Sequence, residues 1–160
     1  MASSEKNLSS YTDKNTSKVS DKKFAVIISE WNDEITDTLY QGVAATLAEH
    51  GVQKSHIIKK YVPGSFELTL AAQWMAQLDD IDAVICLGCI IKGETKHDEY
   101  IANAVAQGIT NVGLKYNKPI IFGVLTPNTK QQALDRAGGK HGNKGDEAAI
   151  TAVKMLGFKV

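Results

Sequence analysis

A single arginine, Arg136, stands among the 18 basic residues of this 160-residue chain. A protein that bound nucleic acid or an acidic membrane surface through its overall field would carry a basic excess, and this one has none. Its 18 Asp and Glu bring the formal net charge to zero. Any recognition of phosphate must therefore be local. Arginine holds a planar fork of donors suited to phosphate or carboxylate, whereas lysine is a mobile point charge. Arg136 is accordingly either an ordinary surface ion pair or a dedicated anion ligand.

Cysteine is almost as scarce. Cys86 and Cys89 form a C-x-x-C, but two cysteines cannot complete a four-ligand zinc site, and no histidine lies at a spacing that would help. The pair falls inside a strand-like run, where residues three apart point to opposite faces, so the sulfurs do not meet. Buried free thiols follow, and they fit a reducing, cytoplasmic location. Also missing are a secretory apolar segment and any run long enough to span a bilayer, so no membrane-spanning helix is expected within these residues. Residues 1–22 are Ser, Lys, Asp and Asn with little apolar content and read as a flexible N-terminal tail. The remainder, 23–160, reads as a single domain, within the size that one hydrophobic core can support.

From Phe24 onward, strand-length apolar runs alternate with segments of helical period, the signature of βαβ units. The strands are expected at Phe24 to Ser29, His56 to Val62, Asp82 to Ile91 and Pro119 to Thr126. The second is the least apolar and belongs near an edge, and the third is the longest and belongs at the centre. Helices are expected from Glu34 to His50, Phe66 to Gln77, Lys96 to Asn117, then from Thr129 to about Gly138, and from Asn143 onward. The third helix should bury Ile101, Ala104, Val105, Gly108 and Val112. The simplest architecture is α/β: a doubly wound, flavodoxin-like, four-stranded parallel sheet with helices on both faces. Ligands in such sheets bind beyond the carboxyl ends of the strands, which here are Trp31-Asn32, Gly64 to Glu67, Cys89 to His97, and Phe122 to Thr126.

The stretch Gly88 to Tyr100 carries the most chemistry. Thr95-Lys96-His97-Asp98 has capping-box spacing, which sets Gly93 to His97 at a helix N-terminus where small anions bind. The dipole there favours neutral imidazole, so His97 is a candidate proton acceptor, set against an ordinary capped turn. Ser65 is a candidate cap for the second helix. Trp31 either covers the core or offers a stacking platform for a planar heterocycle, and Phe66 and Phe122 share that ambiguity. The glycine-rich basic run Gly138 to Gly145 is not a Walker loop, because it lacks the required order and no strand precedes it. It is either a flexible connection between helices or a phosphate grip made by Arg136 and Lys144.

Taken together and in order, Trp31-Asn32, PGSFE (Pro63 to Glu67), GCIIKGETKH (Gly88 to His97), FGVLT (Phe122 to Thr126) and RAGGKHGNKG (Arg136 to Gly145) give a chain that resembles the lumazine synthase (6,7-dimethyl-8-ribityllumazine synthase) family of riboflavin biosynthesis. The resemblance runs from about Phe24 to the C-terminus. It implies a cofactor-free, metal-free transferase that condenses 5-amino-6-(D-ribitylamino)uracil with 3,4-dihydroxy-2-butanone 4-phosphate. Under it, Trp31 stacks on the pyrimidine, Ser65, Phe66 and Glu67 bind the ribityl chain and ring substituents, and Cys89, Ile90 and Ile91 offer backbone groups to the pyrimidine edge. Glu94 and Thr95 match the phosphate-side loop, and His97 matches the proposed general acid/base. Phe122, Arg136 and Lys144 match positions that the family contributes from a neighbouring subunit. It further implies a homo-oligomer, a pentamer or a 60-subunit icosahedral capsid, with riboflavin synthase as a candidate partner.

Two positions depart from the family pattern. Asp98 stands where an aromatic residue is more usual, and Lys92 where arginine is frequent. The rival reading is a non-catalytic ribityl- or flavin-binding protein, or a shell-forming one, on the same fold.

Overall fold

Every residue from Phe24 to Ser29 is 0% exposed, and the run from Ala83 to Cys89 is buried as completely. Continuous burial of this kind requires cover on both faces, as in the interior strands of a parallel sheet. In the computed structural model, which describes residues 18–158, these runs are β1 (Phe24–Ser29) and β3 (Ala83–Cys89). The edges are β2 (Ile57–Val62) and β4 (Ile120–Leu125), in the order β2-β1-β3-β4 with every pairing parallel. The helices are α1 (Asp33–Glu49), α2 (Leu68–Ala76), α3 (His97–Tyr116), α4 (Lys130–Leu134) and α5 (Lys144–Phe158). The expected tail lies outside the described residues as far as residue 17. Within residues 18–22, Val19 is only 1% exposed and packs into the core.

Alternation along the strands divides the core in two. Phe24, Val26, Ile28, Ile85 and Leu87 face α1 and α5, while Ala25, Ile27, Val84 and Cys86 face α2 and α3. Cys89 belongs to the first side and Cys86 to the second, so the thiols lie on opposite faces as the strand period requires. Ile35, Leu39, Val43 and Leu47 form the expected inner stripe of α1, each at most 1% exposed. At about 1.5–3 kcal/mol for each buried aliphatic side chain, such stripes stabilise these helices more than propensity does. Gly51, at φ +82, ends the α1 segment in the left-handed region that glycine enters at no steric cost.

The structure departs from expectation in the inner stripe of α3 and in the glycine-rich run. On α3, Ala104 is exposed and Ile109 takes its place on the buried stripe. Gly108 meets α2 closely, since a Cβ there would lie 2.5 Å from Thr69 Cγ2. The glycine-rich run after α4 is an antiparallel hairpin, β5 (Ala137–Gly139) with β6 (Gly142–Asn143), rather than an unstructured link. Just before β2, His56 is half-buried with its Nδ1 enclosed and unpartnered among the described residues. The edge strand β2 is kept polar: Lys59 Nζ sits 4.1 Å from the Tyr40 ring centre, 4.7 Å from that of Tyr61, and 3.6 Å from Asp37 Oδ1.

Candidate active site

The turn after β1 is built by backbone continuation. Glu30 donates its N–H to the Val62 carbonyl (2.8 Å) and Trp31 to that of Pro63 (3.2 Å), which draws the Pro63–Glu67 turn beside Trp31. Asn32 then takes a left-handed conformation (φ 62, ψ 45), tolerated by asparagine, and opens α1. Its Nδ2 donates to the Cys89 carbonyl at 2.9 Å, joining the ends of β1 and β3. Trp31 is 72% exposed and therefore does not cover the core; its ring is available for stacking at the carboxyl edge of the sheet.

Ser65 is 7% exposed and presses on β3, where a Cβ at Gly88 would stand 2.6 Å from its Oγ. It does not cap α2 as expected: the cap position is Glu67, and Ser65 contributes its carbonyl to the Leu68 N–H (3.2 Å). Phe66 is 59% exposed and Glu67 is exposed beside it.

Not all the backbone groups of Cys89 to Ile91 are free. The Cys89 carbonyl is taken by Asn32, and the Ile90 N–H donates to the Leu125 carbonyl at 2.8 Å. Among the described residues, the groups left without a backbone partner are the Ile91 N–H and the carbonyls of Ile90 and Ile91. Burial pushes the Cys86 and Cys89 thiols up to about 12, so neither is a nucleophile near neutral pH.

The following loop is closed by Asp98, whose Oδ1 accepts from the Gly93 N–H at 3.4 Å. The expected capping box is not formed. Lys96 occupies the cap position without a side-chain bond, and Thr95 Oγ1 accepts instead from the His97 N–H at 3.4 Å. The backbone N–H groups of Glu94, Thr95 and Lys96 have no hydrogen-bond partner among the described residues and sit at the positive end of a 20-residue helix. His97 is exposed as the first residue of that helix. The residue that departs from the family pattern, Asp98, thus shapes this loop.

A second set of residues lines a groove of about 1210 Å³ along the exposed edge of β4, between α3 and α5. Phe122, Arg136 and Lys144 are all there, with Gln132, His141 and Thr151. Thr129 caps α4 by accepting from the Gln132 N–H (3.2 Å), and Gln132 Oε1 reaches back to the Asn128 N–H (2.9 Å), close to a capping box. Arg136 follows α4, its Nη1 donating to the Gln132 carbonyl at 3.0 Å. The hairpin then returns the chain so that the Lys144 N–H donates to the Arg136 carbonyl at 2.8 Å. The hairpin thus pairs the backbones of two basic residues eight positions apart, both of which line the groove. Trp31, Ser65, Phe66, Glu67, Glu94, Thr95 and His97 do not line this groove.

Three supporting residues carry no role in the sequence reading. Asn143 donates to the Thr38 carbonyl (2.8 Å) and accepts from the Gly145 N–H (2.8 Å), fixing the hairpin to α1. Asn32 is the second, signalled only by its place after the exposed tryptophan. Glu147 is the third, paired with Lys144 at the i, i+3 spacing that a helical wheel would have flagged. Among the described residues no group of three or more His, Cys, Asp or Glu is placed to hold a metal ion, and no helix is long and apolar enough to cross a membrane.

A family model for 6,7-dimethyl-8-ribityllumazine synthase matches residues 21–159. A protein of that name from Cytophaga hutchinsonii is 59% identical over 156 residues, covering 98% of both chains. Another, from Parabacteroides distasonis, is 48% identical over 99% of both. A third, from Flavobacterium johnsoniae, is 50% identical over 97% of this chain and 82% of its own. Similarity this close over nearly the full length, on a four-stranded parallel sheet with helices on both faces, places the chain in the 6,7-dimethyl-8-ribityllumazine synthase family.

Proposed function

We propose that this chain condenses 5-amino-6-(D-ribitylamino)uracil with 3,4-dihydroxy-2-butanone 4-phosphate to give 6,7-dimethyl-8-ribityllumazine, inorganic phosphate and water. The observation that carries this reading is membership of the family across residues 21–159. The amine attacks the ketone to form an imine, phosphate leaves, and a second amine–carbonyl condensation closes the ring. These steps call for orientation, proton transfer and stabilisation of a phosphate, which protein side chains and backbone dipoles supply.

Trp31 stacks on the pyrimidine, and the unpaired groups of Ile90 and Ile91 meet its edge. Ser65, Phe66 and Glu67 hold the ribityl side. His97 moves protons during imine formation and phosphate loss. The free N–H groups of the Glu94–Thr95 loop receive the phosphate from one side, and Arg136 and Lys144 from the other, beside Phe122.

The second set belongs to a neighbouring copy, because Phe122, Arg136 and Lys144 line the open groove at the β4 edge while the first set lies outside it. Residues 23–160 act as one domain, and the chain works as a homo-oligomer, a pentamer or a 60-subunit shell of pentamers, whose interfaces complete the sites. Riboflavin synthase, which consumes the product, is its candidate partner. The two buried free thiols fit a cytoplasmic setting.

Mixing separates this arrangement from a site contained in one chain. His97→Ala and Arg136→Ala are each expected to lose roughly tenfold or more in lumazine formation. Co-assembled one to one, they should regain about a quarter of the wild-type rate, because some interfaces then pair an intact His97 with an intact Arg136. No recovery on mixing would place the site within a single chain. Full turnover by His97→Ala alone would remove its role.

A further inference from the structure

Among the described residues Glu147 is the only acid that lines the β4 groove, and it is 5% exposed. Its carboxylate meets the Lys144 ammonium, and the two side chains are 6% and 17% exposed. No other donor reaches that carboxylate among the described residues, since the neighbouring Thr151 hydroxyl donates to the Glu147 backbone carbonyl instead. Arg136 differs: its guanidinium bonds the Gln132 carbonyl and has no carboxylate partner among the described residues. The two basic residues of the groove are therefore unequal. One is open to an incoming anion, and the other is already neutralised by an internal one.

An anion that engages both finds Arg136 ready and must share Lys144 with Glu147. Complete transfer of Lys144 to the anion would strand a buried carboxylate, which is strongly disfavoured. Two uncompensated cations would hold inorganic phosphate as firmly as the phosphorylated substrate. Such uniform binding would not speed the reaction and would slow release of the product. We propose that Glu147 is a positioning residue that competes with the phosphate group for Lys144, weakening the hold on inorganic phosphate so that it leaves. The proposal rests on the reading of Arg136 and Lys144 as the phosphate end of the site.

The test uses the full-length chain with inorganic phosphate as probe, by calorimetric titration and as a product inhibitor of lumazine formation. Glu147→Gln keeps the shape and removes the charge. It is expected to bind phosphate tighter by roughly tenfold, within the usual range of coupling between two sites. Its steady-state kcat should fall while the first turnover keeps its rate. In a Lys144→Met background the same change should have no effect on phosphate affinity. A merely structural role cannot produce a gain of affinity. Should Glu147→Gln not fold, Glu147→Asp withdraws the carboxylate from Lys144 by one methylene and should tighten phosphate in the same direction by a smaller factor.

Unchanged or weaker phosphate binding in the folded variant overturns the proposal, as does tightening that persists without Lys144. Failure of the underlying reading shows differently: Arg136→Ala would leave phosphate affinity untouched, and both would fall together.

Discussion

Gly88 shows how a residue with no side chain sets the position of one that has chemistry. A Cβ there would lie 2.6 Å from Ser65 Oγ and 3.0 Å from Leu68 Cδ1, so the start of α2 could not seat on β3. Gly88→Ala is expected to cost about 1–3 kcal/mol, the usual size of an overpacking penalty. It should also raise KM for the pyrimidine more than KM for the butanone phosphate. Thermal unfolding and steady-state kinetics would show both. Arg136→Ala should do the opposite, weakening the butanone phosphate by on the order of tenfold or more while sparing the pyrimidine, because the proposed charge-assisted bond to phosphate is lost.

Asp146 offers a residue-scale prediction in pH. Burial, and then the nearby Glu49 and Glu147, raise its carboxyl from the ordinary value. A carboxyl raised on folding contributes stability below its unfolded value of about 3.9 and loses that contribution as pH rises through its folded value. At neutral pH the ionised Asp146 is thus a burden on the α1–α5 contact. Asp146→Asn is expected to raise the unfolding temperature at pH 7, and the gain should vanish towards pH 4. An equal shift at both values would contradict the cause given.

At the scale of elements, the α1–α5 contact depends on backbone approaching backbone. A Cβ at Gly145 would lie 1.9 Å from the Leu39 carbonyl oxygen, which cannot rotate away, whereas one at Gly93 would meet nothing within 4 Å. Gly145→Ala is therefore expected to cost several kcal/mol or prevent folding, and Gly93→Ala to change stability by less than about 0.5 kcal/mol. Chemical denaturation of the two variants gives the comparison. The four strands and α1 were legible in the sequence because burial imposes a period on it: Phe24 to Ser29 is apolar throughout, and Ile35 to Leu47 steps by four. The β5–β6 hairpin was not legible. Its register depends on Asn143 reaching the Thr38 carbonyl, a contact 105 positions away in sequence. The capping motif misled for a related reason, since Asp98 finds the Gly93 N–H in a loop whose path the motif does not encode. For the site, residue types marked His97, Trp31 and Arg136 out, but which backbone groups of Cys89 to Ile91 stay free depends on Asn32 and Leu125.

At the scale of the whole molecule, hydrophobic surface remains where one chain has no use for it. Leu70 and Trp74 on α2 and Leu78 just beyond it step by four at 50%, 56% and 43% exposure, and Leu114, Phe122 and Phe158 stand out around the β4 groove. Surfaces of this kind mark contacts with other molecules, and the proposed oligomer supplies them. Trp74→Glu is expected to shed smaller species in light scattering, and to lower turnover per chain although no substrate-binding group has changed. A variant that keeps both its assembly and its rate would remove α2 from the interface.

The hairpin between Arg136 and Lys144 is, in these terms, a ruler. Gly138 and Gly142 make its turns at φ +93 and +72, and the exposed Lys140 between them pairs only with Asp135 among the described residues. Its glycines and its length are therefore both fixed: a Cβ at Gly139 would lie 2.7 Å from Asp135 Cα, and one residue more or fewer would carry Lys144 away from Arg136 and slide α5 along α1. Insertions tolerated elsewhere on the surface would there undo the proposed anion site and a helix contact at once.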